Sequence, residues 1–150
     1  MIPHPERESG NLPSGIHEAS WSEILVRYGS TPRRLSLLAG LQSALDRLRQ
    51  AGCARAYLDG SFVTAKAVPK DFDACWEMAG VDFDVLDEQA PVLLDWSRKR
   101  AAQKALFGGE LFIAESAADP WGTPYLEFFQ HDGDSGNPKG IIAINLGDLP

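Results

Sequence analysis

Asp71 and Asp73, separated by one residue in the segment Lys70-Asp71-Phe72-Asp73, are the pair whose type and spacing point most directly to chemistry. In an extended segment, side-chain alternation puts both carboxylates on one face, with Cα atoms roughly 6.5 Å apart. Like charges that close repel. A divalent cation resolves the repulsion, since Mg²⁺ takes carboxylate oxygens at about 2.0–2.1 Å and keeps positions open for water and phosphate. Nine residues lie between Asp71 and a Gly60-Ser61 pair that follows the run Tyr57-Leu58-Asp59. Glycine lets backbone N–H groups approach a phosphate closely, and a serine hydroxyl can donate to one of its oxygens. A carboxylate pair and a phosphate-holding turn describe phosphoryl chemistry, which runs mainly on positioning and electrostatics.

Taken together, Gly60-Ser61, the nine-residue gap and Asp71-x-Asp73 resemble the signature of the polymerase-β-like nucleotidyltransferase superfamily. The length looks most like the minimal nucleotidyltransferases of prokaryotic toxin–antitoxin pairs, and the resemblance covers residues 31–115. Two departures stand out: Val63-Thr64-Ala65 where minimal members carry Ala-Arg-Gly, and Lys70 where they carry serine. The resemblance implies Mg²⁺ or Mn²⁺ on Asp71 and Asp73, and a nucleoside triphosphate held by Gly60 and Ser61; Lys70 beside Asp71 is a further candidate for holding it. It also implies a third carboxylate on the strand after the next helix. Glu110 and Glu115 are the candidates, with Glu127 a third. Alternation puts Glu110 with Phe112 and Ala114, and Glu115 with Leu111 and Ile113; a position just after the helix favours Glu110. The implied reaction moves a nucleoside monophosphate to a protein or RNA hydroxyl and releases pyrophosphate. A second reading keeps the fold without turnover, as an acidic, antitoxin-like module that binds a basic partner protein.

Such a site needs a scaffold, and the sequence predicts an α/β fold: a mixed sheet of about five strands with helices packed against it. Residues 1–15, rich in proline and glycine, read as an extended arm, and residues 16–150 as one domain. Ile16 to Tyr28 suggests a short helix capped by Ser20 with Glu23 three residues on, and Trp21, Leu25 and Tyr28 in one stripe. Thr31-Pro32 opens the strongest helix. Leu35, Leu38, Leu41, Leu45 and Leu48 recur at three and four residues until Gly52, with Arg33, Arg34, Arg47 and Arg49 on the solvated side. Strands follow at Ala54–Leu58 and around Asp71–Trp76. Gly80–Glu88 reads as a solvated acidic loop without calcium-loop spacing, and Pro91–Phe107 as a helix burying Leu94, Trp96, Ala101 and Ala105 before Gly108-Gly109. Glu110–Glu115 forms the third strand. Tyr125–Gln130 and Gly140–Leu146, joined by the turn-rich Asp132–Pro138, predict a C-terminal β-hairpin.

The chain's 150 residues allow an ordinary core, burying about two-thirds of the unfolded surface. A net charge of −7 and a pI near 4.9 speak against an extended nucleic-acid groove and for a small ligand or a basic partner. Neither a membrane span nor a charged-then-apolar leader is evident, which makes the cytoplasm the expected location. Cys53 and Cys75 lack metal spacing and are expected to be buried apolar residues. His131, beside Asp132, is a conceivable proton shuttle but more simply a loop residue.

Overall fold

The computed structural model describes residues 1–59, 61–64 and 69–150, Ser61 in its backbone alone. Its centre is a five-stranded mixed sheet. The strands are β1 (Gly15–Glu18), β2 (Arg55–Asp59), β3 (Phe72–Trp76), β4 (Gly109–Ile113) and β5 (Gly140–Asn145), in the order β1-β5-β2-β3-β4. β1 runs parallel to β5 and β3 parallel to β4, while β2 is antiparallel to both of its neighbours. The α/β class and the strand number agree with the sequence reading. One strand differs: Gly15–Glu18, where the sequence reading ends the arm at 15 and starts a helix at Ile16, pairs with β5 instead. At four residues it is too short to show a period of its own, and the tertiary partner decides.

Helix α1 (Trp21–Tyr28) begins at Ser20, whose side chain accepts from Glu23 N while Glu23 reaches back to the cap, so the predicted capping box is present. Its buried stripe is Trp21, Ile24 and Tyr28; Leu25 stays exposed. Helix α2 (Pro32–Gln50) is capped by Thr31 and buries Leu37, Leu38, Leu41, Ala44, Leu45 and Leu48 on the sheet. Leu35 is exposed, and Arg34 takes the buried place. This corrects the assignment of Arg34 to the solvated side. Its guanidinium donates to the carbonyls of Phe62 and Thr64 and lies 4.9 Å over the Phe62 ring, which offsets the cost of burying the charge.

The acidic segment expected as a loop is helix α3 (Phe83–Gln89). Asp82 caps it, accepting from Asp84 N and Val85 N, and Leu86 reaches the core. Pro91–Leu94 is a 3₁₀ turn, and helix α4 (Ser97–Phe107) is not a continuation of it. Between them Asp95 accepts from the backbone and hydroxyl of Ser97, and inside the first turns of α4 Arg98, Lys99 and Arg100 take left-handed φ values of 52, 54 and 58°. Each such residue costs about 1–2 kcal/mol. Arg100 recovers part of this by lying 4.0 Å over the Phe112 ring. Trp96, Ala101 and Ala105 are exposed rather than buried; Leu93, Gln103 and Phe107 fill the contact instead. Gly40 lets α2 touch α4 backbone to backbone, since a Cβ there would stand 1.8 Å from the Phe107 carbonyl oxygen.

The predicted C-terminal hairpin is not formed. Tyr125–Phe128 is a helical turn, α5, started at Pro124, and only an isolated bridge joins His131 to Pro138. Ring packing explains this: one helical turn brings Tyr125 and Phe129 together, 4.3 and 5.4 Å from Phe112, overriding the strand propensity of an aromatic run.

The sheet therefore has two unlike faces. Ala56, Leu58, Phe72, Ala74, Trp76, Leu111, Ile113, Ile142 and Ile144 pack with the α1–α4 layer. Tyr57, Cys75, Phe112, Ile141 and Ala143 face the other way, under Phe129 and α5. Both cysteines are free and buried, as expected; burial raises the Cys53 thiol to about 11 and pushes Cys75 higher still.

Candidate active site

The carboxylates lie at one end of the second face. Register pairs Asp59 of β2 with Asp73 of β3, and Asp73 with Glu110 of β4, so three acidic residues stand side by side across three neighbouring strands. Directly opposed residues on neighbouring strands project to the same side, which aligns the three carboxylates in a row. Asp71 sits one residue ahead of β3 and adds a fourth charge. Asp73, only partly exposed, shows the result: its carboxyl rises from 3.8 to about 7, first through burial and then through Asp71, Glu110 and Asp59. Both effects disfavour the charged form.

Two ammonium groups flank the row. Lys139 Nζ is 3.2 Å from Asp59 Oδ1, both side chains largely buried, and its charge moderates the rise at Asp73. At the other end, Lys104 Nζ is 3.1 Å from Glu110 Oε1. That hydrogen bond, then the Glu110 charge, then those of Asp71 and Asp73, hold the Lys104 ammonium above its ordinary range.

Beside Asp71 opens a cleft of about 480 Å³ between α2 and the end of α4, lined in part by Arg33, Ser36, Lys70, Asp71 and Lys104. Arg33 donates to the carbonyls of Pro69 and Lys70, which fixes the chain entering β3. Three cations thus surround one carboxylate at the cleft, in a chain whose overall charge is −7.

The structure sorts the candidates of the sequence. Asp71, Asp73 and Glu110 come together. Glu115 does not: it lies beyond β4, exposed, and accepts from Met78 N at 3.1 and 3.3 Å. Glu127 is exposed on α5. Lys70 is exposed at the rim of the cleft. Gly60 and the Ser61 side chain lie outside the described residues; the backbone after them turns through the 3₁₀ segment Ser61–Val63, which Arg34 holds from below. His131 is exposed, its Nδ1 3.2 Å from the Glu127 carbonyl oxygen.

Sequence reasoning gave no role to Asp59 and Lys139. The signal for Asp59 is present in the sequence, because it ends the strand before the Gly60-Ser61 turn and alternation sets it on the face of Tyr57. Lys139 has no comparable signal, since only the path from α5 back into β5 brings it there.

As a donor set the site is all hard oxygen, which suits Mg²⁺ or Mn²⁺ rather than zinc. The crowding at Asp73 is what a bound cation relieves, so the residues fit such an ion. Among the described residues no three acidic, histidine or cysteine side chains already converge on one metal position. Glu110 and Asp59 are turned toward lysines instead.

Among the described residues no helix is long and apolar enough to cross a membrane. Neither the curated proteins nor the solved structures include a significant match to this chain. A family model does match, over residues 4–145, and this spans both the carboxylate row and its lysines. The chain belongs to the family of unknown function DUF6932.

Proposed function

We propose that the protein is a metal-dependent nucleotidyltransferase, moving a nucleoside monophosphate from a nucleoside triphosphate to a protein or RNA hydroxyl. The observation that carries this reading is the row Asp59–Asp73–Glu110, with Asp71 beside it lining a cleft that also carries Arg33, Lys70 and Lys104. Asp71 and Asp73 would hold Mg²⁺ or Mn²⁺, which when bound supplies positive charge at the α-phosphate. Lys70 at the rim, with Gly60 and Ser61, would hold the phosphate chain. Glu110, kept beside Asp73 by Lys104, accepts the proton of the acceptor hydroxyl. The acceptor oxygen bonds to the α-phosphorus as the bond to the bridging oxygen breaks, and pyrophosphate leaves. A cytoplasmic, prokaryotic setting within a toxin–antitoxin pair accompanies this reading through the family it resembles.

Label transfer tests it. The protein should place label from at least one α-labelled triphosphate, with Mg²⁺ or Mn²⁺, on host RNA or protein, and none from the γ-labelled form. Asp73→Asn should lower the rate at least a hundredfold. Label arriving from the γ position would mean a kinase; no label from any of the four triphosphates would count against transfer.

One observation favours a second reading, an acidic module without turnover: two carboxylates of the row are already engaged by Lys104 and Lys139. Such a module would bind a basic protein with an association rate that falls steeply with salt. The Asp71→Ala, Asp73→Ala double variant would then bind and neutralise that partner unchanged. Loss of neutralisation with retained binding favours the enzyme.

A further inference from the structure

We propose that the protein is a two-fold symmetric homodimer, in which the basic face of α4 of each copy seats on α5 and the Trp121 loop of the other. The inference is independent of the nucleotidyl-transfer reading and starts from how the chain divides its charges.

Helix α4 carries Arg98, Lys99, Arg100 and Lys104 and no acidic residue. From residue 105 to residue 138 the division reverses: there is no lysine or arginine, and Glu110, Glu115, Asp119, Glu127, Asp132 and Asp134 are acidic. The two blocks are neighbours in space. The Arg100 guanidinium lies 4.0 Å from the centre of the Phe112 ring, and the ring of Tyr125, the first residue of α5, is 4.3 Å from the same ring. The edge strand β4 therefore has a positive element and a negative element beside it. Arg98 and Lys99 on one, and Glu115 and Glu127 on the other, are all exposed, and none of the four forms an ion pair with a described residue.

Both halves also leave large apolar side chains in water. Trp96, just before α4, and Leu106, near its end, are 49% and 57% exposed; on the acidic half Phe128 is 47% exposed and Trp121 87%. Trp121 is held there by its loop. Asp119 Oδ1 accepts from Trp121 N and Thr123 N at 3.0 and 3.1 Å, Ala118 N donates to the Thr123 carbonyl at 2.7 Å, and Ala117 bridges Pro124. A tryptophan presented on a fixed turn loses little freedom when it is covered, which is what an interface anchor needs.

Charge selects the occupant. A patch with one positive and one negative half is complementary to itself after a half-turn, so each α4 meets the other copy's acidic half and every attraction is made twice. Setting α4 on α4 would oppose like charges, which fixes the register.

Sedimentation equilibrium over a range of micromolar concentrations tests this, with thermal melts to show that each variant is folded. The unmodified protein should be a dimer that weakens as salt rises. Trp121→Ala should weaken it at least about tenfold. Lys99→Glu and Glu127→Lys, each placing like charges together at two points, should each be monomeric alone, and an equal mixture of the two should form dimers containing one copy of each. A protein that is monomeric throughout would overturn the inference and leave the acidic half to a basic protein. A dimer unaffected by the three substitutions, or a mixture that fails to recover, would overturn it as well.

Discussion

At the scale of single residues, Asp73 is where sheet geometry becomes chemistry. Register wedges it between Asp59 and Glu110, and its carboxyl sits at about 7 because burial and then three like charges oppose ionisation. The sign of the resulting pH dependence follows. The folded protein holds this proton more tightly than the unfolded chain between 3.8 and about 7, so stability falls as pH rises across that window. Asp73→Asn should flatten this slope in thermal melts of the metal-free protein between pH 4 and 7; an unchanged slope would assign it to other groups. The Asp59–Lys139 pair makes the opposite prediction for a single deletion. Lys139→Met removes the ammonium beside a nearly buried carboxylate and should cost about 3 kcal/mol in urea unfolding, whereas adding Asp59→Asn should restore part of the loss. A second change that only deepens the loss would contradict the pairing.

At the scale of elements, what the sequence makes legible is what depends on local chemistry. The Ser20–Glu23 capping box, the Thr31-Pro32 start of α2 and the alternation that sets Asp73 apart from Phe72 and Ala74 all act within a few residues, and all stand in the structure. What was hidden depends on distant partners. β1 exists because β5 runs beside it, and α5 because Phe112 collects the rings of Tyr125 and Phe129. Arg34 looked like solvated charge because the carbonyls it serves lie 28 and 30 residues away. The same distinction holds within the candidate site: Asp71 and Asp73 are readable from spacing, Glu110 is one of the candidates that the resemblance implies, and Lys139 is not readable. Arg34 supports a prediction at this scale. It ties α2 to the turn after Gly60, so Arg34→Met should cost about 2–4 kcal/mol by leaving carbonyls unpaired, and should also weaken nucleotide binding. Arg34→Lys, which keeps the charge but not the forked donor, should recover only part of either. Full recovery by lysine would reduce the role of Arg34 to charge alone.

For the molecule as a whole, the distribution of charge matters more than its total. A chain with a net charge of −7 gathers Arg33, Lys70 and Lys104 around one cleft, next to the four acidic residues of the site. That arrangement suits a small polyanion carried with a cation better than a long nucleic-acid track, which would call for a continuous basic face. The sheet holds the carboxylates on one face, and α2 and α4 bring the cations around the edge. The central claim is that these parts form one binding site for a metal-bound nucleoside triphosphate. The most direct measurement is the melting temperature with ATP, CTP, GTP and UTP, each with and without Mg²⁺ or Mn²⁺, for the unmodified protein and Asp73→Ala. A ligand bound only by the folded state stabilises by about 2.7 kcal/mol at a hundredfold excess over Kd, enough to move the melt by several degrees. At least one triphosphate should raise Tm only when the metal is present, and Asp73→Ala should abolish that rise. An equal rise in Asp73→Ala, or none with any triphosphate and metal, would contradict the account.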